Sequence, residues 1–142
     1  MAEEQTYAAA GVSLATADAI VERLRAAVAS TATPAVAGAF GSFAGLFAID
    51  EKRLLAASTD SVGSKLVLGR RVGRLGWCGA DLAAHCINDV LTTGAEPLFF
   101  LDYVAANAID PEQVAALVEG AAEVCCAAGC AILGGETAEL PG

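Results

Sequence analysis

Apolar side chains recur along the chain with two different periods, and the switches between those periods mark its elements. From 16 to 28, Ala17, Ile20, Leu24 and Val28 return every three or four residues, the spacing of a helix face. Asp18 then falls in the first turn and Arg25 in the last, each favourable to the helix dipole, and Ser30-Thr-Ala-Thr-Pro34 ends the helix. Two short apolar runs, 46–49 and 54–57, predict strands joined by the polar hairpin turn Asp50-Glu-Lys-Arg53. Residues 79–91 return to the helical period, and 97–104 form an apolar run that predicts a strand buried on both faces or held at a subunit contact. Asp110-Pro-Glu-Gln113 reads as a helix start, with Asp110 as N-cap, Pro111 in the first turn and Gln113 reaching back. Val114, Leu117, Ala121 and Val124 should face inward from this helix, Glu112, Glu119 and Glu123 outward, and Gly129 should cap it. Residues 130–133 predict a last strand running into a glycine-rich tail. By length the chain is a single domain, spanning 16–142 after an N-terminal arm, 1–15.

Composition narrows the setting. Hydrophobic residues make up 56% of the 142 and mean hydropathy is +0.56, much of it alanine, yet charges or glycines break every run that could cross a bilayer. The Met1-Ala-Glu-Glu4 start is acidic where a signal peptide is basic, so a soluble, cytoplasmic protein is expected, with part of its apolar surface covered by a partner. A net charge of −9 argues against nucleic-acid and anionic-membrane surfaces. Four of the eight cations, Lys65, Arg70, Arg71 and Arg74, nevertheless crowd into ten residues, a local basic loop that suits a small anion or is simply solvated. The five cysteines (78, 86, 125, 126 and 130) form no CxxC pair and have one histidine, His85, for company; they are expected to be buried, reduced thiols.

Candidate chemistry gathers at Ser58-Thr-Asp-Ser-Val-Gly-Ser-Lys65, where the 54–57 strand runs into a turn. Asp60 at one end could serve a divalent cation and Lys65 at the other a phosphate, although Asp, Gly and Lys also make ordinary turns. On the 79–91 helix, Asp81, His85, Asn88 and Asp89 share an arc of about 100°. Those short side chains are poor helix formers, which makes the face read as ligands rather than as a solvated surface, with His85 packing or hydrogen-bonding nearby in preference to holding a metal. Glu136 is a third acid placed after a strand beside glycines; if Asp60, Asp89 and Glu136 converge, the cluster requires a cation, and Mg²⁺ suits an all-oxygen site. The Gly38-Ala-Phe-Gly-Ser-Phe-Ala-Gly45 stretch lacks the strand and helix of a dinucleotide fingerprint; its backbone could approach a phosphate or merely turn around packed aromatics.

Together, Ser58-Thr-Asp-Ser-Val-Gly-Ser-Lys-Leu66, Cys86-Ile-Asn-Asp-Val90, Gly94-Ala-Glu-Pro-Leu-Phe-Phe-Leu-Asp-Tyr103 and Gly134-Gly-Glu-Thr-Ala-Glu-Leu-Pro-Gly142 resemble the amino-terminal domain of the phosphoribosylformylglycinamidine cyclo-ligase (aminoimidazole ribonucleotide synthetase) family. The similarity runs from Tyr7 to Gly142, and the Leu98-Phe-Phe-Leu-Asp-Tyr103 run separates it from ATP-using cousins such as selenophosphate synthetases and thiamine-phosphate kinases. The resemblance implies ATP-dependent ring closure of formylglycinamidine ribonucleotide in purine biosynthesis, with ADP and phosphate released. It implies an α/β fold (an α+β mixed sheet) with a central sheet flanked by helices, ATP and Mg²⁺ as cofactors, and a homodimer whose sheets pair across the interface, with ATP sites there. Carried over by motif, Lys65 and Asp81 are the expected catalytic residues, Gly41, Gly63, Ser64, Lys65, Asn88 and Thr137 the expected nucleotide contacts, and Asp60, Asp89 and Glu136 the expected metal ligands.

This sequence departs from the family in two ways. Ser61 and Ser64 stand where the family usually has glycine and threonine; Ser64 keeps the hydroxyl, while Ser61 is expected to strain a turn that needs positive φ. The family also continues past the point where this chain stops, into a second domain holding part of the substrate site, so a fragment, a separately expressed domain or a split-gene product is expected. A catalytically silent dimerisation module is the reading that competes with the enzyme.

Overall fold

The computed structural model describes residues 6–7 and 9–141. The chain divides into two compact units, with the boundary between Leu55 and Ala56.

The first unit holds helix α1 (Leu14–Ala29) and strands β1 (Val36–Ala37) and β2 (Gly45–Ala48), and enters β3 (Leu54–Ala57). Ser13 is the N-cap of α1: its hydroxyl accepts from the Thr16 amide, so the helix starts two residues before the apolar spacing indicated. That earlier start removes Asp18 from the first turn, and the end at Ala29 removes Arg25 from the last; Arg25 pairs with Glu22 instead. No residue of α1 is buried, so the Ile20–Leu24–Val28 stripe is exposed. The strands form a sheet ordered β1-β2-β3, with Val36 opposite Phe47 in an antiparallel pair. The expected hairpin turn is present, closed by Asp50, whose carboxylate accepts from the amides of Lys52 and Arg53 and pairs with the Arg53 guanidinium.

The second unit carries α2 (Lys65–Arg71), α3 (Leu75–Leu91), β4 (Phe99–Ala106), α4 (Pro111–Ala128) and β5 (Ala131–Glu139). The expected mixed α/β class is therefore present, with the strands divided between two small sheets rather than gathered in one. Its core joins Ala83 and Ile87 of α3, Phe100 of β4, Ala121 and Cys125 of α4, and Cys130 before β5. α4 follows its sequence signals: Asp110 accepts from the Glu112 amide and from the Gln113 side chain, and Gly129 ends the helix in the left-handed region at φ 69°. α3 and α4 cross with backbones nearly touching, because a Cβ on Gly79 would run into the Leu117 carbonyl and one on Gly120 into that of Gly76.

Three expectations change here. The basic segment is a short helix rather than a loop, with Lys65 at its start and Arg70 and Arg71 in its last turn. Of the two alternatives for the 97–104 run, burial on both faces within the chain is ruled out: Phe100 packs inward, while Phe99, Leu101 and Tyr103 are exposed. The last strand does not end at Leu133 but continues through Gly134-Gly135 to Glu139, parallel to β4, with a register shift after Phe100. Gly135 serves close approach, since a Cβ there would meet the carbonyl and carboxylate of Asp102, whereas Gly134 supplies a positive φ of 140°. All five cysteines are free; Cys78, Cys125 and Cys130 are buried and Cys86 half-buried, but Cys126 is exposed. Burial, and next its neighbour Cys130, push the Cys125 thiol up to about 11, which keeps it protonated and inert. Among the described residues no helix is long and apolar enough to cross a membrane.

Candidate functional site

The turn after β3 and one face of α3 form a polar cluster inside the second unit. The strand delivers Ser58 and Asp60 at its carboxyl end, and Gly63 at φ 57° swings the chain into α2 so that Lys65 opens that helix. No non-glycine residue among those described has a positive φ, so Ser61 carries no strain: only Gly63 needs the left-handed region, and the Ser61 amide donates to the Asp60 carboxylate.

Three side chains of the turn meet three of α3 at one-turn intervals. Ser58 Oγ donates to Asp89 Oδ2 at 2.6 Å, and Lys65 Nζ to Asp81 Oδ2 at 2.8 Å. Between them, His85 places Nε2 3.2 Å from Lys65 Nζ and Nδ1 3.5 Å from Asp60 Oδ2. Asp81, His85 and Asp89 can all face the turn because their i, i+4 spacing stacks them along one side of the helix. The Lys65 hydrogen bond holds the Asp81 carboxyl below the usual carboxylate range. Beneath the cluster, burial pushes the Cys86 thiol up, and the nearby charges of Asp60 and Asp89 add to the effect.

The structure thus brings together Asp60, Lys65, Asp81 and Asp89 of the sequence-derived set, with Gly63 and Ser64 in the connecting turn and Asn88 exposed on α3. It does not bring Glu136 or Thr137 into the same hydrogen-bonded group. Both are exposed in the middle of β5, opposite Tyr103 and Val104, because that strand extends further than its apolar run. Gly41 lies in the first unit at φ 100°. Among the described residues no three His, Cys, Asp or Glu side chains are set to enclose a metal, so the expected Asp60–Asp89–Glu136 trio is not assembled as a cage. Asp60 from the turn and Asp89 from α3, two carboxylates of this cluster, still fit Mg²⁺, which retains several waters and takes its remaining ligands from phosphates. Sequence reasoning missed Ser58 and the bridging place of His85. The signal for His85 was its position midway between Asp81 and Asp89 on the face presented to the turn.

Comparison with known proteins gives the following. The family model described as "AIR synthase related protein, N-terminal domain" matches residues 41–142. A phosphoribosylformylglycinamidine cyclo-ligase of Thermosynechococcus vestitus is 52% identical over 139 residues, covering 96% of this chain and 41% of that protein. Proteins of the same name from Prochlorococcus marinus (50% identical, 96% and 40% covered) and Carboxydothermus hydrogenoformans (47%, 99% and 42%) are similarly related. The chain spans about two-fifths of the length of these relatives.

Proposed function

The chain belongs to the AIR synthase related N-terminal domain family, and from that premise we propose that it supplies the ATP- and Mg²⁺-binding part of a cytoplasmic phosphoribosylformylglycinamidine cyclo-ligase. The observation that carries this reading is the pairing of a lysine arm, Lys65 with Asp81, and a carboxylate arm, Asp60 and Asp89, across the turn that follows β3. In the reaction, the γ-phosphoryl group passes to the amide oxygen of formylglycinamidine ribonucleotide; the amidine nitrogen then closes the imidazole ring and phosphate leaves. Mg²⁺, when bound, would neutralise charge on the phosphates, and Asp60 and Asp89 would hold it. Lys65 binds phosphate oxygens, for which an ammonium with several donors is suited; Asp81 orients that ammonium. The turn amides around Gly63 and Ser64, with Asn88 on α3, provide further polar contacts for the nucleotide. Glu136 and Thr137 have no bond to the cluster, and the metal-side role is assigned to Asp60 and Asp89.

ADP formation by this chain joined to the remaining length of one of these relatives, assayed with and without formylglycinamidine ribonucleotide, tests the reaction. The reading requires ADP only when the ribonucleotide is present. ADP formed regardless of it would point to another ATP-using enzyme, and bound nucleotide without any ADP to the silent module.

We further propose that the chain is a homodimer joined through the β4–β5 sheet. Phe99, Leu101, Tyr103 and Leu133 expose a band of apolar surface on a two-stranded sheet, and such a surface is a ready template for association. A self-complementary two-fold contact would cover it. Sedimentation at micromolar concentration is expected to give a dimer, and Leu101→Lys a monomer; a well-folded wild-type monomer would contradict the proposal.

A further inference from the structure

His85, the chain's one histidine, stands between the two arms of the site, with Nε2 3.2 Å from Lys65 Nζ and Nδ1 3.5 Å from Asp60 Oδ2. A lysine ammonium has three donors and no acceptor, so a ring nitrogen that meets it must be unprotonated. The neutral ring then carries its proton on Nδ1, aimed at a carboxylate that can only accept. At 3.5 Å that second contact is longer than an ordinary hydrogen bond, but its polarity is correct and a small closure completes it.

We propose that His85, held in this Nδ1–H tautomer, is a positioning residue that ties the phosphate-binding lysine to the metal-side carboxylate. The inference rests on the roles given to Lys65 and Asp60 above. Asp81 and His85, one helical turn apart on α3, take two of the three ammonium donors. The lysine head is thereby fixed by a rigid helix instead of by its flexible stem, and its third donor is left for an incoming phosphate oxygen. His85 itself touches neither phosphate nor substrate in this arrangement; it acts through Lys65.

Two measurements test this. Long-range ¹H–¹⁵N spectra of the tag-free chain at about pH 8, where an ordinary imidazole is neutral, report a single histidine without ambiguity. The expected signal is a ring protonated at Nδ1, returning in Lys65→Met to the Nε2–H form that free imidazole side chains favour. A wild-type ring in the Nε2–H form overturns the proposal whatever the chain binds. In titrations with MgATP, His85→Met, which loses the acceptor, is expected to bind about five- to tenfold more weakly. His85→Gln keeps a carbonyl that can accept from Lys65 and should bind within about twofold of wild type. Equal weakening in both variants, with helix content unchanged, assigns His85 a packing role and overturns the proposal. Lys65→Ala serves as the reference: if it binds MgATP as wild type does, the role of Lys65 fails, while the tautomer still decides whether His85 is tied to it.

Discussion

Replacing Gly120 by alanine is expected to destabilise the protein by on the order of 3 kcal/mol, although alanine is the better helix former. The gain in helix propensity is about 1 kcal/mol, and it is outweighed because the new methyl group must occupy the space of the Gly76 carbonyl. A side chain there could rotate away, but a backbone carbonyl inside a helix cannot move without its helix. α3 and α4 would have to separate, opening the packing of Ala83 and Ile87 against Ala121 and Cys125. Gly79→Ala meets the Leu117 carbonyl in the same way and should cost a similar amount. Gly129→Ala is the contrast: nothing lies within 4 Å of its Cβ, so only the left-handed φ of 69° is strained, at about 1 kcal/mol. Urea denaturation followed by circular dichroism reads these differences as shifts in midpoint. A Gly120→Ala midpoint equal to or above wild type would show that the two helices do not cross this closely.

The crossing also explains which parts of the fold were legible in sequence. α4 and the Asp50 turn were readable because their determinants are local: an Asp–Pro start, a glycine cap, and a carboxylate bonding amides two and three residues ahead. The polar face of α3 that meets the turn was readable from the arc shared by Asp81, His85 and Asp89 and from their short side chains. α2 was not, because Leu66, Val67 and Leu68 are exposed and carry no amphipathic pattern, and its seven residues are held largely by the turn before it and α3 after it. β5 was cut short for a similar reason: Gly134-Gly135 reads as a turn in isolation, but pairing with β4 and the pressure of Asp102 make it a strand. That error placed Glu136 at a strand end, where it could have joined the acids of the site, instead of in mid-strand opposite Tyr103. For His85 the sequence left packing and hydrogen bonding both open, and its partners, Lys65 and Asp60, lie 20 and 25 residues earlier, a relation that only the folded turn creates.

Lys65→Ala is expected to weaken MgATP binding about ten- to hundredfold, since a charge-assisted hydrogen bond to phosphate contributes about 1.5–3 kcal/mol. The ammonium is held ready by Asp81 and His85, so little ordering is required of it when the nucleotide arrives. Removing it also leaves Asp81 without its cation, adding a carboxylate charge near the incoming phosphates. Stability should change little, because Lys65 and Asp81 are both exposed and a surface pair contributes under about 1 kcal/mol. The most direct test of the site is therefore a calorimetric titration of MgATP into the wild-type chain and into Lys65→Ala. Saturable binding by the wild type, reduced at least about tenfold in a variant that unfolds at the same urea concentration, is the predicted result. Identical binding curves for the two, or no binding by a folded wild type, would contradict it.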